Sequence, residues 1–315
     1  MRTLLDILLL LLGFALLIKG ANVFVDASVG IAKRLKIPSV IIGLTIVAMG
    51  TSLPEAVVSV SAAVGGSTSL AIGNVVGSNI FNLLFAVGIC AVVKPVSVKF
   101  KEIARDYWIS VAAAALLLAL MFIFNDTIPR TVGFIFLAAF IVNLVILVRQ
   151  TLSNRNGTVN NEEKVDNPKK LSRDIFFAVL GAALIVGGGQ LTVDNAINIA
   201  AAFGISERVI GLTIVAVGTS LPELVTSLVA LRKGENDIAV GNVIGSNVFN
   251  ILFVLGLTGM VMPLTIYTYL MFDIAVLMII SMVFLLFAHT NKKIVRFEGA
   301  VLVMMYALYM VFIIL

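Results

Sequence analysis

The chain has 315 residues, is 60% hydrophobic and 12% charged, and has a mean hydropathy of +1.12. No soluble domain of this size could cover so much apolar surface, so the composition excludes the soluble globular class and predicts an all-α polytopic membrane protein. The net charge of +5 would suggest nucleic acid only if topology were ignored. The single cysteine, Cys90, and single histidine, His289, exclude disulfides, thiolate metal sites and histidine clusters.

Apolar windows predict about ten spans. Their centres lie near Phe14, Val47, Val76, Ala114, Leu137, Ala183, Val215, Val243, Leu277 and Met305. The runs are long and continuous rather than alternating, which argues against a transmembrane β-barrel. The first run, apolar from Leu4, is too long for a signal peptide, lacks a convincing cleavage site and has a counterpart later in the chain. Gly20, Val25, Asp26, Ile31 and Ala32 recur 168 residues on as Gly188, Val193, Asp194, Ile199 and Ala200.

The same register governs the strongest motif. Gly43 to Glu55 ends Gly-Thr-Ser-Leu-Pro-Glu, and Gly211 to Glu223 repeats it; between Gly43 and Gly88, 28 of 46 positions match their partners 168 residues later. Repetition of this kind marks duplicated structural units. Each copy carries one glutamate in what otherwise reads as membrane, where a charge is costly and functional by default. Proline lacks an N–H and clashes with the carbonyl four residues back, so each copy should break its helix. The carbonyls near Ala48 and Ala216 would then turn towards a ligand, since unwound backbone at membrane depth must be buried in protein or line a cavity. The alternative is a plain Pro kink; Thr, Ser and Glu crowding one turn in both copies argue against it.

A second element follows in each copy, Gly73 to Asn82 and Gly241 to Asn250. Ser78 and Asn82 share a helix face, as do Ser246 and Asn250, being four residues apart. Asn74, Asn79, Asn242 and Asn247 fit helix-to-helix bonding and ligation equally well. Thr151 to Arg173 is the most polar connection and reads as a linker. Three basic residues (Arg2, Arg130, Arg208) fall on the side of the N-terminus and 18 on the other, with Lys19 inside the first span. The positive-inside rule then puts the linker in the cytoplasm and both termini outside. The expected organisation is a first five-helix repeat over 1–150 (its core about 43–90), a cytoplasmic linker over 151–172, and a second, inverted repeat over 173–315 (its core about 211–258).

The inward groups are Glu55 and Glu223, the hydroxyls of Thr51, Ser52, Thr219, Ser220, Ser78 and Ser246, and the amides of Asn82 and Asn250. All are oxygen donors, which suit hard cations; Ca²⁺ takes six to eight oxygens. Two carboxylates neutralise one divalent ion or two monovalent ones, so Ca²⁺ and Na⁺ would compete for one site.

At these motifs the chain resembles the cation/Ca²⁺ exchanger superfamily and, within it, the prokaryotic Na⁺/Ca²⁺ exchangers. The resemblance implies ten helices, two inverted repeats, and ion sites between the second and third helices of each half. It implies that Glu55 and Glu223 bridge Ca²⁺ and flanking Na⁺, that Thr51 and Thr219 ligate Ca²⁺ through backbone carbonyls, and that Ala48, Ala216, Ser52, Ser220, Ser78 and Ser246 serve Na⁺. It further implies that the first and sixth helices slide to switch access. The K⁺-dependent branch and some prokaryotic members carry aspartate at the position of Asn250, which argues against K⁺ coupling here. The H⁺/Ca²⁺ branch has Gly-Asn-Ala-x-Glu where this chain has Thr-Ser-Leu-Pro-Glu.

The expected function is therefore a secondary antiporter, not an enzyme, exchanging Na⁺ for Ca²⁺ across the plasma membrane. It would need no cofactor and no nucleic acid, and would work as a single chain in the lipid bilayer. The alternatives are an H⁺/Ca²⁺ or K⁺-dependent Na⁺/Ca²⁺ exchanger, or a passive cation channel. A membrane-embedded hydrolase lacks a nucleophile with its base. Asp26 and Asp194 read as caps or interfacial groups, Lys19 as a snorkelling side chain, Asp273 as a buried polar group, His289 as interfacial, and Tyr107 and Trp108 as part of an aromatic belt.

Overall fold

Hydrocarbon offers no partner for backbone N–H and C=O groups, so a spanning segment must satisfy them internally. The computed structural model, which describes residues 2–124, 127–158, 168–204, 216–290 and 292–314, meets this demand with helices. They are α1 (Arg2–Leu35), α2 (Ser39–Thr51), α3 (Leu53–Val64), α4 (Thr68–Val93), α5 (Phe100–Phe124), α6 (Arg130–Thr158) and α7 (Pro168–Ala202). After them come α8 (Ala216–Thr219), α9 (Leu221–Arg232), α10 (Asn236–Val261), α11 (Thr268–Thr290) and α12 (Arg296–Ile314). Among the described residues, eight helices are long and apolar enough to cross a membrane, and the pair α2–α3, bent by 45°, makes a ninth. The tenth expected span, centred near Val215, falls partly on residues 205–215, outside the described residues; α8 and α9 follow them.

Burial separates centre from periphery. The apolar window of α10 is 94% buried and that of α4 78%, against 22–33% for the other long helices. The outer helices turn large apolar side chains such as Leu8, Phe122, Phe176, Ile279 and Leu308 outward, as a lipid-facing surface requires. The two central helices carry the polar motifs. Each also contains a widened π-type turn, Asn82–Ala86 in α4 and Phe249–Val254 in α10. Such turns shift the register of side chains and occur often at functional sites.

The segments on either side of the linker are interlocked. α4 packs on α12, and α10 packs on α6. A Cβ on Gly88 would lie 2.9 Å from the Gly299 carbonyl oxygen; one on Gly133 would lie 2.8 Å from that of Gly256. These backbones meet because the glycines present no side chain. Four short strands, β1 (Val96–Ser97), β2 (Thr127–Ile128), β3 (Leu264–Thr265) and β4 (Lys293–Ile294), repeat the exchange: β1 pairs antiparallel with β4, and β2 with β3.

α1 and α7 are 34 and 35 residues long, so at 1.5 Å per residue each outreaches a hydrocarbon core of about 30 Å. They lie along one another, and Arg34 Nε meets Asp174 Oδ2 at 2.5 Å near one end.

Several minor expectations resolve here. Asp26 pairs with Lys233 at 2.6 Å, and Asp194 accepts from Gln190 at 2.8 Å within its own helix. Asp273 accepts from the Tyr309 hydroxyl at 3.1 Å. His289 lies against Phe100, and Lys19 is exposed. Tyr107 is not a belt residue. α11 covers it, it is 1% exposed, and its hydroxyl donates to the Ser281 carbonyl. Trp108, beside it, is 46% exposed. The expected linker is helical at both ends, where α6 runs on to Thr158 and α7 starts at Pro168; Glu162, Glu163, Lys164 and Asp166 fall outside the described residues.

Candidate ion-binding site

The Gly-Thr-Ser-Leu-Pro-Glu segment breaks its helix in both copies. Ser52 has φ −87° and ψ 10°, and Ser220 has φ −94° and ψ 4°, outside the helical range. Pro54 and Pro222 then open α3 and α9 within the first turn, where a missing N–H costs nothing. The break places Glu55 and Glu223 in the first turns of those helices, both fully buried.

The expected release of the Ala48 carbonyl does not occur. Ala48 O accepts the Ser52 N–H at 3.0 Å. Proline removes the N–H of residue 54, which deprives Gly50 rather than Ala48 of its helical donor. Ala216 opens α8, and its side chain lies outside the described residues.

Each carboxylate is held by a serine from the other copy. Ser52 Oγ donates to Glu223 Oε1 at 2.7 Å, and Ser220 Oγ lies 3.1 Å from Glu55 Oε1. Ser78 Oγ reaches Glu55 Oε1 at 3.5 Å and Ser220 Oγ at 2.9 Å. The crossed bonds bring the α2–α3 break, the α8–α9 break and α4 to one crossing. The other oxygen of each glutamate, Oε2, has no hydrogen-bond partner among the described residues. Neither do Asn82 Oδ1, Asn250 Oδ1 and Ser246 Oγ, all buried.

Thr51 and Thr219 also bond across the copies. Thr51 Oγ1 donates to Asn242 Oδ1 at 3.0 Å, and Thr219 Oγ1 to Asn74 Oδ1 at 3.4 Å. The two amides in turn fix the glutamate backbones. Asn74 Nδ2 donates to Glu55 O at 3.4 Å and Ser59 Oγ at 3.0 Å; Asn242 Nδ2 donates to Glu223 O at 3.2 Å and Ser227 Oγ at 2.9 Å. Asn74 and Asn242 are therefore cross-links between helices. Ser59 and Ser227 escaped the sequence reading, although they too stand 168 residues apart and their repetition was the available signal.

The chemistry follows from the inventory. Two buried carboxylates, with no ion pair among the described residues, are expensive. The five unclaimed atoms are all oxygens, a donor set that fits a hard cation and offers nothing to a soft one. Among the described residues, no group of three or more His, Cys, Asp or Glu side chains gathers, so any cation here would be held by two acids with hydroxyl and amide help.

Known proteins resemble this chain in sequence and fold. The family model described as sodium/calcium exchanger protein matches residues 5–149 and 174–315. The sodium/calcium exchanger MaX1 of Methanosarcina acetivorans is 36% identical, with 97% of each chain covered. The putative antiporter CaxA of Alkalimonas amylolytica is 41% identical over 80% of each. Among solved structures, the sodium–calcium exchanger NCX_Mj, soaked with Na⁺ and Sr²⁺, aligns over 97% of this chain and 98% of its own with a TM-score of 0.83 at 32% identity. With both segments around the linker matched and full-length relatives on either comparison, the chain belongs to the sodium/calcium exchanger protein family.

Proposed function

We propose that this protein is an antiporter that moves Ca²⁺ against Na⁺ by alternating access, with both ions as substrates of one buried site. The observation that carries the reading is the crossed pair of bonds from Ser52 to Glu223 and from Ser220 to Glu55. It puts two acids, one from each repeat, at a shared crossing, where a divalent cation or two monovalent ones balance them.

In this reading Glu55 and Glu223 bridge the ions through their Oε2 atoms, which have no partner among the described residues. Asn82, Asn250 and Ser246 add neutral oxygens, and Ser52, Ser220 and Ser78 shape the carboxylates while serving Na⁺. Thr51 and Thr219 contribute backbone carbonyls, and Ala216 opens α8 beside them; the Ala48 carbonyl stays with the Ser52 N–H. Emptied of cations, the two glutamates repel each other, so the ion-free protein resists switching. That resistance couples the two fluxes, because only an occupied site crosses. Full-length relatives named as sodium/calcium exchangers favour Na⁺ as the counter-ion. Sodium/potassium/calcium exchanger 1 of Bos taurus matches only 32% of this chain.

The repeats over 1–150 and 173–315 act as inverted halves, with the segment 151–172 in the cytoplasm and both termini outside. The charge asymmetry of 3 against 18 supports this orientation. One chain in the plasma membrane contains a whole site. The test is radiolabelled Ca²⁺ uptake by liposomes holding the purified protein and loaded with Na⁺. Uptake should follow the outward Na⁺ gradient and vanish when choline replaces internal Na⁺; uptake indifferent to that gradient would reject the reading.

A further inference from the structure

Four asparagines form a closed set where α4 crosses α10. Asn79 Nδ2 donates to the Asn247 backbone carbonyl at 3.2 Å, and Asn247 Nδ2 returns the bond to the Asn79 carbonyl at 3.5 Å. Asn82 Nδ2 donates to Asn247 Oδ1 at 3.1 Å, and Asn250 Nδ2 to Asn79 Oδ1 at 3.1 Å. All four are at most 2% exposed.

The direction of these bonds is fixed by elimination. A backbone carbonyl only accepts, so the amide facing it must present its NH₂. Asn79 and Asn247 each face such a carbonyl, which leaves each Oδ1 on the opposite side. An amide that meets this Oδ1 must again present NH₂. Asn82 and Asn250 are therefore compelled to turn their own Oδ1 atoms away from these bonds, and both atoms are buried without a partner among the described residues. A primary amide otherwise turns over easily, since its two ends are nearly the same size. Turned over, it would show a cation two N–H groups instead of an oxygen.

We propose that Asn79 and Asn247 are positioning residues that fix the polarity of the ion site. They relay the one-way character of a backbone carbonyl through two amides, so that Asn250 and Asn82 offer oxygen and not nitrogen to the transported cation. The inference rests on the ion-site reading above, with Asn82 and Asn250 as ligands. Outer partners that orient metal ligands commonly carry about 10- to 100-fold in affinity.

The test is a cycle of substitutions in the full-length protein, read as Ca²⁺ binding by calorimetry in Na⁺-free detergent solution. Asn250→Ala should weaken Ca²⁺ binding, and Asn79→Leu should weaken it by about tenfold. In the Asn250→Ala background, Asn79→Leu should change affinity by less than about twofold, because the group it orients is gone. Equal losses in both backgrounds would overturn the relay and make Asn79 a general packing residue. Wild-type affinity in Asn79→Leu alone would overturn it as well. Wild-type affinity in Asn250→Ala would remove the ligand assignment on which the relay stands. If Asn79→Leu does not assemble, the mirror pair Asn247→Leu against Asn82→Ala carries the same test.

Discussion

The hydroxyl of Ser52 donates to Glu223 Oε1 at 2.7 Å, although the two residues stand 171 positions apart. Its counterpart, Ser220 with Glu55, is longer at 3.1 Å, but Ser220 also engages Ser78 at 2.9 Å. The two serines are thus equivalent by sequence and unequal by load. Ser220→Ala should weaken Ca²⁺ binding more than Ser52→Ala, each loss being of the order of tenfold. Calorimetric titration of both variants with Ca²⁺ checks the order.

Glu55→Gln and Glu223→Gln each remove one of the two charges that balance a divalent ion while keeping side-chain size. Each should abolish Na⁺-driven Ca²⁺ uptake in liposomes. Neither should unfold the protein, because an unpaired buried carboxylate is replaced by a neutral amide. Wild-type uptake in either variant, at equal incorporation, contradicts a site built on both acids.

Ca²⁺ binding to the folded state alone should raise thermal stability. At a free concentration 100 times Kd the gain is about 2.7 kcal/mol. Adding a chelator should reverse the shift in melting temperature. The Glu55→Gln/Glu223→Gln double variant should melt at one temperature with or without the ion.

Packing makes a separate forecast. A Cβ on Gly133 would lie 2.4 Å from Met260 N and 2.5 Å from Gly259 C, whereas one on Gly187 meets nothing within 4 Å among the described residues. Gly133→Ala forces two backbones apart and should cost roughly 1–3 kcal/mol or more. Gly187→Ala should be neutral or stabilising by up to about 1 kcal/mol, since alanine favours helix. Melting curves in detergent distinguish the two.

Much of this fold is legible in the sequence alone. Continuous apolar runs have one physical outlet in a bilayer, and two Pro-Glu breaks at constant spacing announce a duplicated polar core. The individual bonds were not legible. Whether Asn74 and Asn79 ligate or cross-link depends on which helix lies opposite, and sequence spacing is silent on that. The π-type turns at Asn82–Ala86 and Phe249–Val254 leave no compositional trace. Tyr107 misled for a related reason: an aromatic near the end of a span resembles a belt residue until α11 is seen to cover it. The Pro54 break follows from the sequence, but the carbonyl that proline deprives of a donor is that of Gly50, two residues after Ala48.

The exchanged packing of α4 on α12 and of α10 on α6 has a consequence for how this molecule is made. Ribosomes deliver helices in order, yet the Gly88 groove of α4 fits Gly299, which emerges only with α12, a helix of 19 residues. Until then the earlier spans wait in the bilayer with a complementary face bare, open to quality-control proteases that recognise unassembled segments. Nonsense changes shortly before Arg296 should therefore clear the protein from the cell instead of leaving a partly working one.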